Sequence, residues 1–135
     1  MQSAKSVHQT AAQAKVSTMK VSLTINGQQL FATLANNPTA KDFYSMLPLR
    51  LPLKDYASTE KIAYLARKLT KADAPAGTAG KIGDITYYAP WGNLAIFYRD
   101  FGYAAGLITL GRLSGDISLL STAGDVEVLI APVEP

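Results

Sequence analysis

The stretch GDITYYAPWGNLAIFYRDF, residues 83–101, predicts two antiparallel strands joined by a turn that contains Pro90 and Gly92. It holds six of the twelve aromatic residues of the chain. Successive side chains of a strand point to opposite faces, so the second half of the stretch has two distinct faces. One face carries Leu94, Ile96 and Tyr98, and the other carries Ala95, Phe97 and Arg99. The stretch indicates a mostly β domain, and it leaves open whether the aromatic residues bind a ligand or only pack a hairpin.

Alternating apolar residues continue this pattern on both sides. At residues 20–34, KVSLTINGQQLFATL contains Asn26-Gly27, a pair that supplies the positive φ angles of a two-residue hairpin turn. Further strands are predicted in GLITLGRL, residues 106–113, and in DVEVLI, residues 125–130. At residues 47–56, LPLRLPLKDY contains two prolines that lack amide donors, so it predicts an edge strand or an extended crossing.

Two short helices are predicted, near residues 38–46 and 115–122. Asn37 suits the N-cap of the first, and Pro38 suits its first helical position. Gly124 suits the end of the second.

Two segments in the middle of the chain are harder to interpret. By period alone, STEKIAYLARKLTKA at residues 58–72 fits an amphipathic helix. The next segment, ADAPAGTAGKIG at residues 72–83, is rich in small residues, glycine and proline, so it predicts a mobile surface loop.

Length and charge place these elements in one domain. A chain of 135 residues can bury a single core without cross-links. We predict a polar N-terminal tail over residues 1–19 and a folded domain over residues 20–135. The net charge of +3 comes from three lysines in the first twenty residues, which contain no acid. The remainder has ten basic and ten acidic residues, which argues against nucleic-acid binding.

Several chemistries lack the residues that they need. The chain has no cysteine, and its one histidine, His8, lies in the predicted tail. We therefore expect no cofactor, no metal site and no catalytic histidine in the domain. No apolar run approaches the roughly 18–20 residues that span a bilayer. The tail suits either a cytoplasmic protein or an exported one whose signal has been removed, and the sequence leaves localisation and oligomeric state open.

The order of these motifs resembles that of the bacterial cyclophilin-like domains. The resemblance extends from Lys20 to about Ile130 and rests on NPTAKDFYSMLPL, EKIAYL, GDITYYAPWGNLAIFY and LGRLSGDISLL. It implies a cyclophilin-like closed antiparallel β-barrel of about eight strands with two short capping helices. Under this resemblance EKIAYL is a strand, and the helical period of that segment is overridden.

Several residues that cyclophilins use for isomerase activity are absent from the matching positions of this sequence. Cyclophilins hold a proline ring in an apolar pocket while an arginine stabilises the twisted amide, which lowers a barrier of about 20 kcal/mol. Phe97 matches the phenylalanine of that pocket, but Ala95 stands where the family has a substrate-binding glutamine and Leu107 where it has a groove histidine. The strand that should carry the arginine has none before Arg67. We therefore assign no catalytic residue.

These observations favour a non-catalytic binding module. The predicted ligand-binding residues are Phe97, Arg99, Tyr88 and Tyr103, in a groove on the outer wall of the barrel. The apolar side chains would hold a peptide or a small amphipathic or anionic molecule, and Arg99 would grip a carboxylate. The alternatives are a peptidyl-prolyl isomerase with a degenerate site, another enzyme that uses tyrosine and arginine, and a surface without a ligand, in which Arg99 pairs with Asp84 or Asp100.

Overall fold

The computed structural model describes residues 19–122 and 124–133, except for the side chain of Thr122, and the predicted tail lies almost entirely outside these ranges. The described residues form ten strands and two helices. The strands are β1 (Lys20–Ile25), β2 (Gln28–Leu34), β3 (Leu49–Tyr56), β4 (Glu60–Tyr64), β5 (Gly77–Gly80), β6 (Asp84–Tyr88), β7 (Asn93–Phe97), β8 (Phe101–Ala105), β9 (Leu107–Ser114) and β10 (Val126–Pro132). The helices are α1 (Pro38–Ser45) and α2 (Ser118–Thr122).

Eight of the strands close into an antiparallel barrel, which confirms the predicted fold class. Their order around the barrel is β1, β10, β3, β4, β7, β6, β9 and β2, and β2 returns to β1. The β1–β2 hairpin turns at Asn26 and Gly27 with φ angles of 52° and 77°, as the sequence predicts. Closure leaves none of these eight strands as a long unpaired edge.

The barrel interior is filled by the inward face of each strand. Leu94 and Ile96 of β7, which the alternation places on one face, are fully buried there, and Tyr98 packs against the same cluster. Phe43 of α1 and Leu120 of α2 also join this cluster, so each helix covers barrel core. The Asn37 side chain accepts a hydrogen bond from the Ala40 amide at 2.8 Å and caps α1 as predicted.

The predicted edge strand at residues 47–56 is wrong. In the structure β3 pairs with β10 through residues 49–53 and with β4 through residues 54–56. Pro52 lies in the part that pairs with β10 alone, so its missing amide does not interrupt the pairing with β4. Because the two pairings involve different halves of β3, a strand that contains proline can form part of the wall of a closed barrel.

The segment EKIAYL forms a strand, as its resemblance to cyclophilin-like domains implies. Lys61 and Ala63 point into the barrel, while Ile62 joins a separate apolar cluster on the outer wall. Both faces of the strand are thus buried, which explains why the apolar residues show no simple alternation. Pairing on both sides, with β3 and β7, overrides the local helical period.

Part of the predicted mobile loop at residues 72–83 is also a strand. β5 pairs with β8 in a second, two-stranded sheet, and neither strand is apparent from the sequence pattern. The sequence of β5 is GTAG, which has no apolar alternation. It can be identified as a strand only from its pairing with β8. This small sheet lies against the outer barrel wall. The contact is so close that an added Cβ at Gly80 would come within 2.6 Å of the Phe97 ring.

An ion pair fixes the segment after β4 to α1. The Arg67 guanidinium donates to both carboxylate oxygens of Asp42, at 2.8 and 3.1 Å, and the Thr70 amide donates to one of them at 2.7 Å. The Thr39 hydroxyl donates to the Thr70 carbonyl at 2.7 Å. The hydrogen bonds from Arg67, followed by that from Thr70, lower the pKa of Asp42 below its usual value.

We expect this lowered pKa to appear as acid sensitivity of the fold. A carboxyl whose pKa is lower in the folded state contributes stability above its unfolded pKa, about 3.9, and loses it as the pH falls through the lowered value. Melting temperatures of the parent and of Asp42→Asn should therefore differ at neutral pH and converge in acid. Parallel curves down to low pH would contradict this assignment.

Candidate binding groove on the outer barrel wall

A groove of about 390 Å³ opens between the outer barrel wall and the small β5–β8 sheet. The barrel strands β4, β6, β7 and β9 form its wall, and β8 forms the opposite side. We call this the outer-wall groove, and its lining residues are Tyr56, Glu60, Ile62, Tyr88, Trp91, Asn93, Phe97, Phe101, Tyr103, Ala104, Ala105 and Leu107.

Phe97 forms the floor of the outer-wall groove. Its side chain is 1% exposed and packs with Ile62, Ala95 and Leu107 in a cluster separate from the barrel interior. The Phe101 ring stacks near it, with 6.2 Å between centroids. Gly80 lets the backbone of β5 lie directly against the Phe97 ring, where a larger residue would clash. The strand β5 can therefore pack closely against Phe97 because its residues have small side chains or none.

Aromatic side chains form the rim of the outer-wall groove. Trp91 packs edge-to-face with Tyr56 and with Tyr88, at centroid distances of 5.8 and 5.4 Å. Tyr103 stands on the opposite side and is 64% exposed. Four of the seven large apolar side chains exposed among the described residues line this one groove: Tyr56, Trp91, Phe101 and Tyr103.

Two polar side chains interrupt this apolar surface, and both present oxygen acceptors. Glu60 is half-buried, and burial raises the pKa of its carboxyl above the usual range. Among the described residues, the Glu60 carboxylate has no hydrogen-bonding or ion-pair partner. Asn93 is 1% exposed and donates from Nδ2 to the Leu94 carbonyl at 2.8 Å, while its Oδ1 is buried without a described partner.

The structure brings three of the four predicted ligand-binding residues together. Tyr88, Phe97 and Tyr103 line the outer-wall groove, whereas Arg99 is exposed and is not part of its lining. β7 ends at Phe97, and the amides of Tyr98 and Arg99 both donate to the Thr59 carbonyl, so strand alternation does not continue as far as Arg99. None of the described residues that line the groove is basic.

Neither suggested partner of Arg99 pairs with it. Asp84 is nearly buried and accepts from Arg112 at 2.7 Å and from the Lys81 amide at 2.9 Å. Asp100 accepts from the Ile82 amide at 2.9 Å. These bonds fix the loop between β5 and β6 instead.

Sequence reasoning missed the polar lining of the groove. Glu60 and Asn93 are separated by 33 positions in the chain but lie on paired strands, β4 and β7. One signal was available: Asn93 shares the outward face of β7 with Ala95 and Phe97. The partner strand of that face was not evident until EKIAYL was placed beside it.

The structure contains a buried lysine outside the groove. Lys61 is 1% exposed, and its ammonium donates to the Gly124 carbonyl at 2.6 Å and to Asp55 at 3.3 Å. Tyr98 donates a short hydrogen bond to Asp55, which is the main cause that lowers the pKa of that carboxyl. Burial, followed by this bond, raises the pKa of Tyr98 to about 12. These contacts connect β3, β4 and Gly124, so the Lys61 ammonium is engaged inside the barrel.

Comparisons with known proteins agree with this architecture. A model of the cyclophilin-like family matches residues 23–131. The solution structure of a hypothetical protein from Archaeoglobus fulgidus is similar, with a TM-score of 0.68 and 15% sequence identity over 87% of this chain and 96% of that one. No curated protein matches the chain in sequence. In the ranges that the structure describes, no helix has the length and apolar character needed to cross a bilayer. Because the family model covers most of the chain and the fold agrees with it, this protein belongs to the cyclophilin-like family.

Proposed function

We propose that this protein is a non-catalytic binding module that holds an amphipathic ligand in the outer-wall groove. The observation that carries the proposal is the concentration of exposed aromatic side chains around one concave, apolar site. Exposed aromatic residues scattered over a surface need no explanation, but a cluster around a groove is typical of a binding site. The polar atoms of Glu60 and Asn93 would orient the ligand within the apolar walls.

The position of the charges argues against peptidyl-prolyl isomerase activity. Stabilising a twisted amide in the groove needs a cationic or strongly donating group aimed at the reacting bond. The one basic residue of β4, Lys61, points into the barrel and donates to Gly124 and Asp55. Among the described groove residues, the charged one is the acid Glu60. Apolar binding and catalysis should therefore separate in this protein.

The position of Arg99 also changes the expected ligand. A grip on a carboxylate by Arg99 was predicted from the sequence, but that residue stands outside the groove lining. We therefore retain the amphipathic part of the prediction and no longer favour an anionic ligand.

Binding to the groove can be followed by the fluorescence of Trp91. Trp91 is the only tryptophan of the chain and lines the groove, so excitation of tryptophan observes this site alone. We expect titration with the neutral amphipathic dye Nile red to quench Trp91 fluorescence in a saturable way. Tyr103→Ala should weaken the dye affinity about fivefold, because truncating an aromatic contact commonly costs about 1 kcal/mol.

A matched control is available in Phe31→Ala. Phe31 is an aromatic residue of β2, 47% exposed and outside the groove lining, so its removal should leave the affinity unchanged. Equal losses in both variants would mean that the dye binds exposed aromatic residues without selecting the groove. In a protease-coupled assay of proline isomerisation, the parent should show no more acceleration than Phe97→Ala. Robust acceleration that Phe97→Ala abolishes would overturn the proposal in favour of an isomerase.

A further inference from the structure

The described lining of the outer-wall groove offers a ligand a carboxylate and an amide oxygen, and it contains no basic side chain. Glu60 contributes a carboxylate, and the buried Oδ1 of Asn93 contributes an amide oxygen that no described residue satisfies. A buried acceptor without a donor is costly, and native proteins rarely leave one. The two residues lie on the outward faces of the paired strands β4 and β7, but Glu60 is opposite Phe97 whereas Asn93 is opposite Tyr64. They are therefore separated by about 13 Å along the strands, and a ligand that addresses both must extend along the groove, as a peptide segment does. The described lining therefore carries one charged side chain, the carboxylate of Glu60, without a basic side chain to balance it.

The aromatic rim adds a preference for positive charge. The faces of tyrosine, tryptophan and phenylalanine rings carry negative potential and attract ammonium and guanidinium groups, most strongly where water is excluded. Tyr56, Tyr88 and Trp91 form one contiguous aromatic group on the rim, and Glu60 lies in the same lining. Burial raises the pKa of Glu60, and no basic side chain of the described residues pairs with its carboxylate. A bound cation would compensate that charge.

We propose that the outer-wall groove binds the cationic side chain of an arginine or lysine in a peptide segment, with the Glu60 carboxylate accepting its N–H groups and Tyr56, Tyr88 and Trp91 packing around it. This inference rests on the proposed binding function and names its ligand class. The guanidinium of arginine suits the site well, because its planar fork donates several hydrogen bonds while its faces stack on aromatic rings.

The extent of the exposed aromatic surface favours a peptide over a free amine. Trp91, Phe101 and Tyr103 are each about half exposed or more, so they offer contact area beyond the space that one charged head group would fill. The flanking residues of a peptide would cover these rings. A small amine would leave them in water.

The test compares a cationic peptide with its neutral isostere. We would titrate the full chain with the blocked tripeptides acetyl-Ala-Arg-Ala-amide and acetyl-Ala-citrulline-Ala-amide and follow Trp91 fluorescence. Citrulline keeps the shape of arginine and removes its charge. We expect the arginine peptide to bind at least about tenfold more tightly than the citrulline peptide. The lysine peptide should also bind more tightly than citrulline, and propylguanidine alone should bind more weakly than the arginine peptide.

Glu60→Gln isolates the role of the carboxylate. It should reduce the preference for arginine over citrulline to about twofold or less. It should also leave the melting temperature at neutral pH unchanged or raise it. A carboxyl whose pKa is raised by burial destabilises the fold as the pH rises from its unfolded pKa, about 4.3, through the raised value, because its ionised form is poorly solvated in the folded state. A fold defect is therefore not the expected cause of lost peptide binding.

Glu127→Gln is the matched control. It removes the same charge from an exposed glutamate of β10 that pairs with Arg50 at 3.4 Å, outside the groove lining. An equal loss of arginine preference in both variants would show that overall charge, and no specific site, attracts the peptide.

The possible failures can be told apart. Equal affinity for arginine and citrulline peptides, with Nile red still bound, would overturn the cationic ligand and leave the binding module standing. Absence of saturable binding by every probe would overturn both. Propylguanidine that binds as tightly as the peptide would overturn the peptide assignment. Concentration-dependent Trp91 spectra of the protein alone would indicate that a second copy fills the groove, and would overturn it as well.

Discussion

Replacing Ile96 or Leu110 with alanine should destabilise the barrel by about 2–5 kcal/mol in each case. Both side chains are fully buried in the barrel interior, on β7 and β9, the two strands that flank β6. Truncation removes several methyl and methylene groups from a close-packed environment and leaves a cavity that the closed strands cannot easily fill. Urea denaturation monitored by far-ultraviolet circular dichroism would measure the free energy of unfolding.

Ile82→Ala provides the control for this pair. Ile82 is 46% exposed, and its alanine variant should change the free energy of unfolding by no more than about 0.5 kcal/mol. Losses below about 1 kcal/mol at both Ile96 and Leu110 would mean that the inward and outward faces of these strands have been assigned the wrong way round.

Gly111→Ala should destabilise the barrel by about 1–3 kcal/mol through overpacking, although it adds only one methyl group. A Cβ at this position of β9 would lie 2.5 Å from the Thr33 carbonyl oxygen and 2.8 Å from the Leu34 Cα. Both are backbone atoms of β2, the strand paired with this part of β9. The third contact, Leu34 Cδ2 at 2.9 Å, is a side-chain end that could move, but relief of the two closer backbone contacts would require the strands to move apart.

Gly102→Ala is the same substitution in a strand with open space, since nothing lies within 4 Å of its added Cβ. It should be neutral or slightly stabilising, because alanine restricts the unfolded chain more than glycine does. Thermal melts of the two variants side by side would decide the matter. A Gly111→Ala variant as stable as Gly102→Ala would show that β2 and β9 do not approach as closely as the structure places them.

The two stability predictions concern the barrel, and the binding predictions concern the wall outside it. The interior cluster and the Phe97 cluster are separate apolar groups on opposite faces of the same strands. Substitutions at exposed rim residues such as Tyr103 should therefore change binding with little effect on the fold. This separation makes it possible to test the outer-wall groove without unfolding the protein.

Much of the barrel could be predicted from local sequence signals. The Asn26-Gly27 turn, the Asn37 cap and the alternation of β7 each depend on a few neighbouring residues, and all three appear in the structure as predicted. The same alternation correctly separated Ile96 from Phe97. Turn geometry, capping and the two-residue period are properties of the chain itself, so they are visible without tertiary information.

Residues whose role depends on a distant strand could not be predicted in this way. In the sequence Lys61 precedes three basic residues, Arg67, Lys68 and Lys71, and nothing local marks it as buried. In the structure it lies on the inward face of β4 and donates to Asp55 and the Gly124 carbonyl. β5 has no apolar pattern and exists only through its pairing with β8.

The sequence by itself determined that this protein has alternating strands, two short helices and a Phe97 on the face opposite Leu94 and Ile96. The tertiary structure decided which polar groups share the groove with that residue. It brought Glu60 and Asn93 onto paired strands, and the end of β7 at Phe97 left Arg99 outside. The physical reason is that alternation fixes the face on which a side chain lies, whereas strand order and strand ends, which are set by long-range pairing and barrel closure, fix its neighbours.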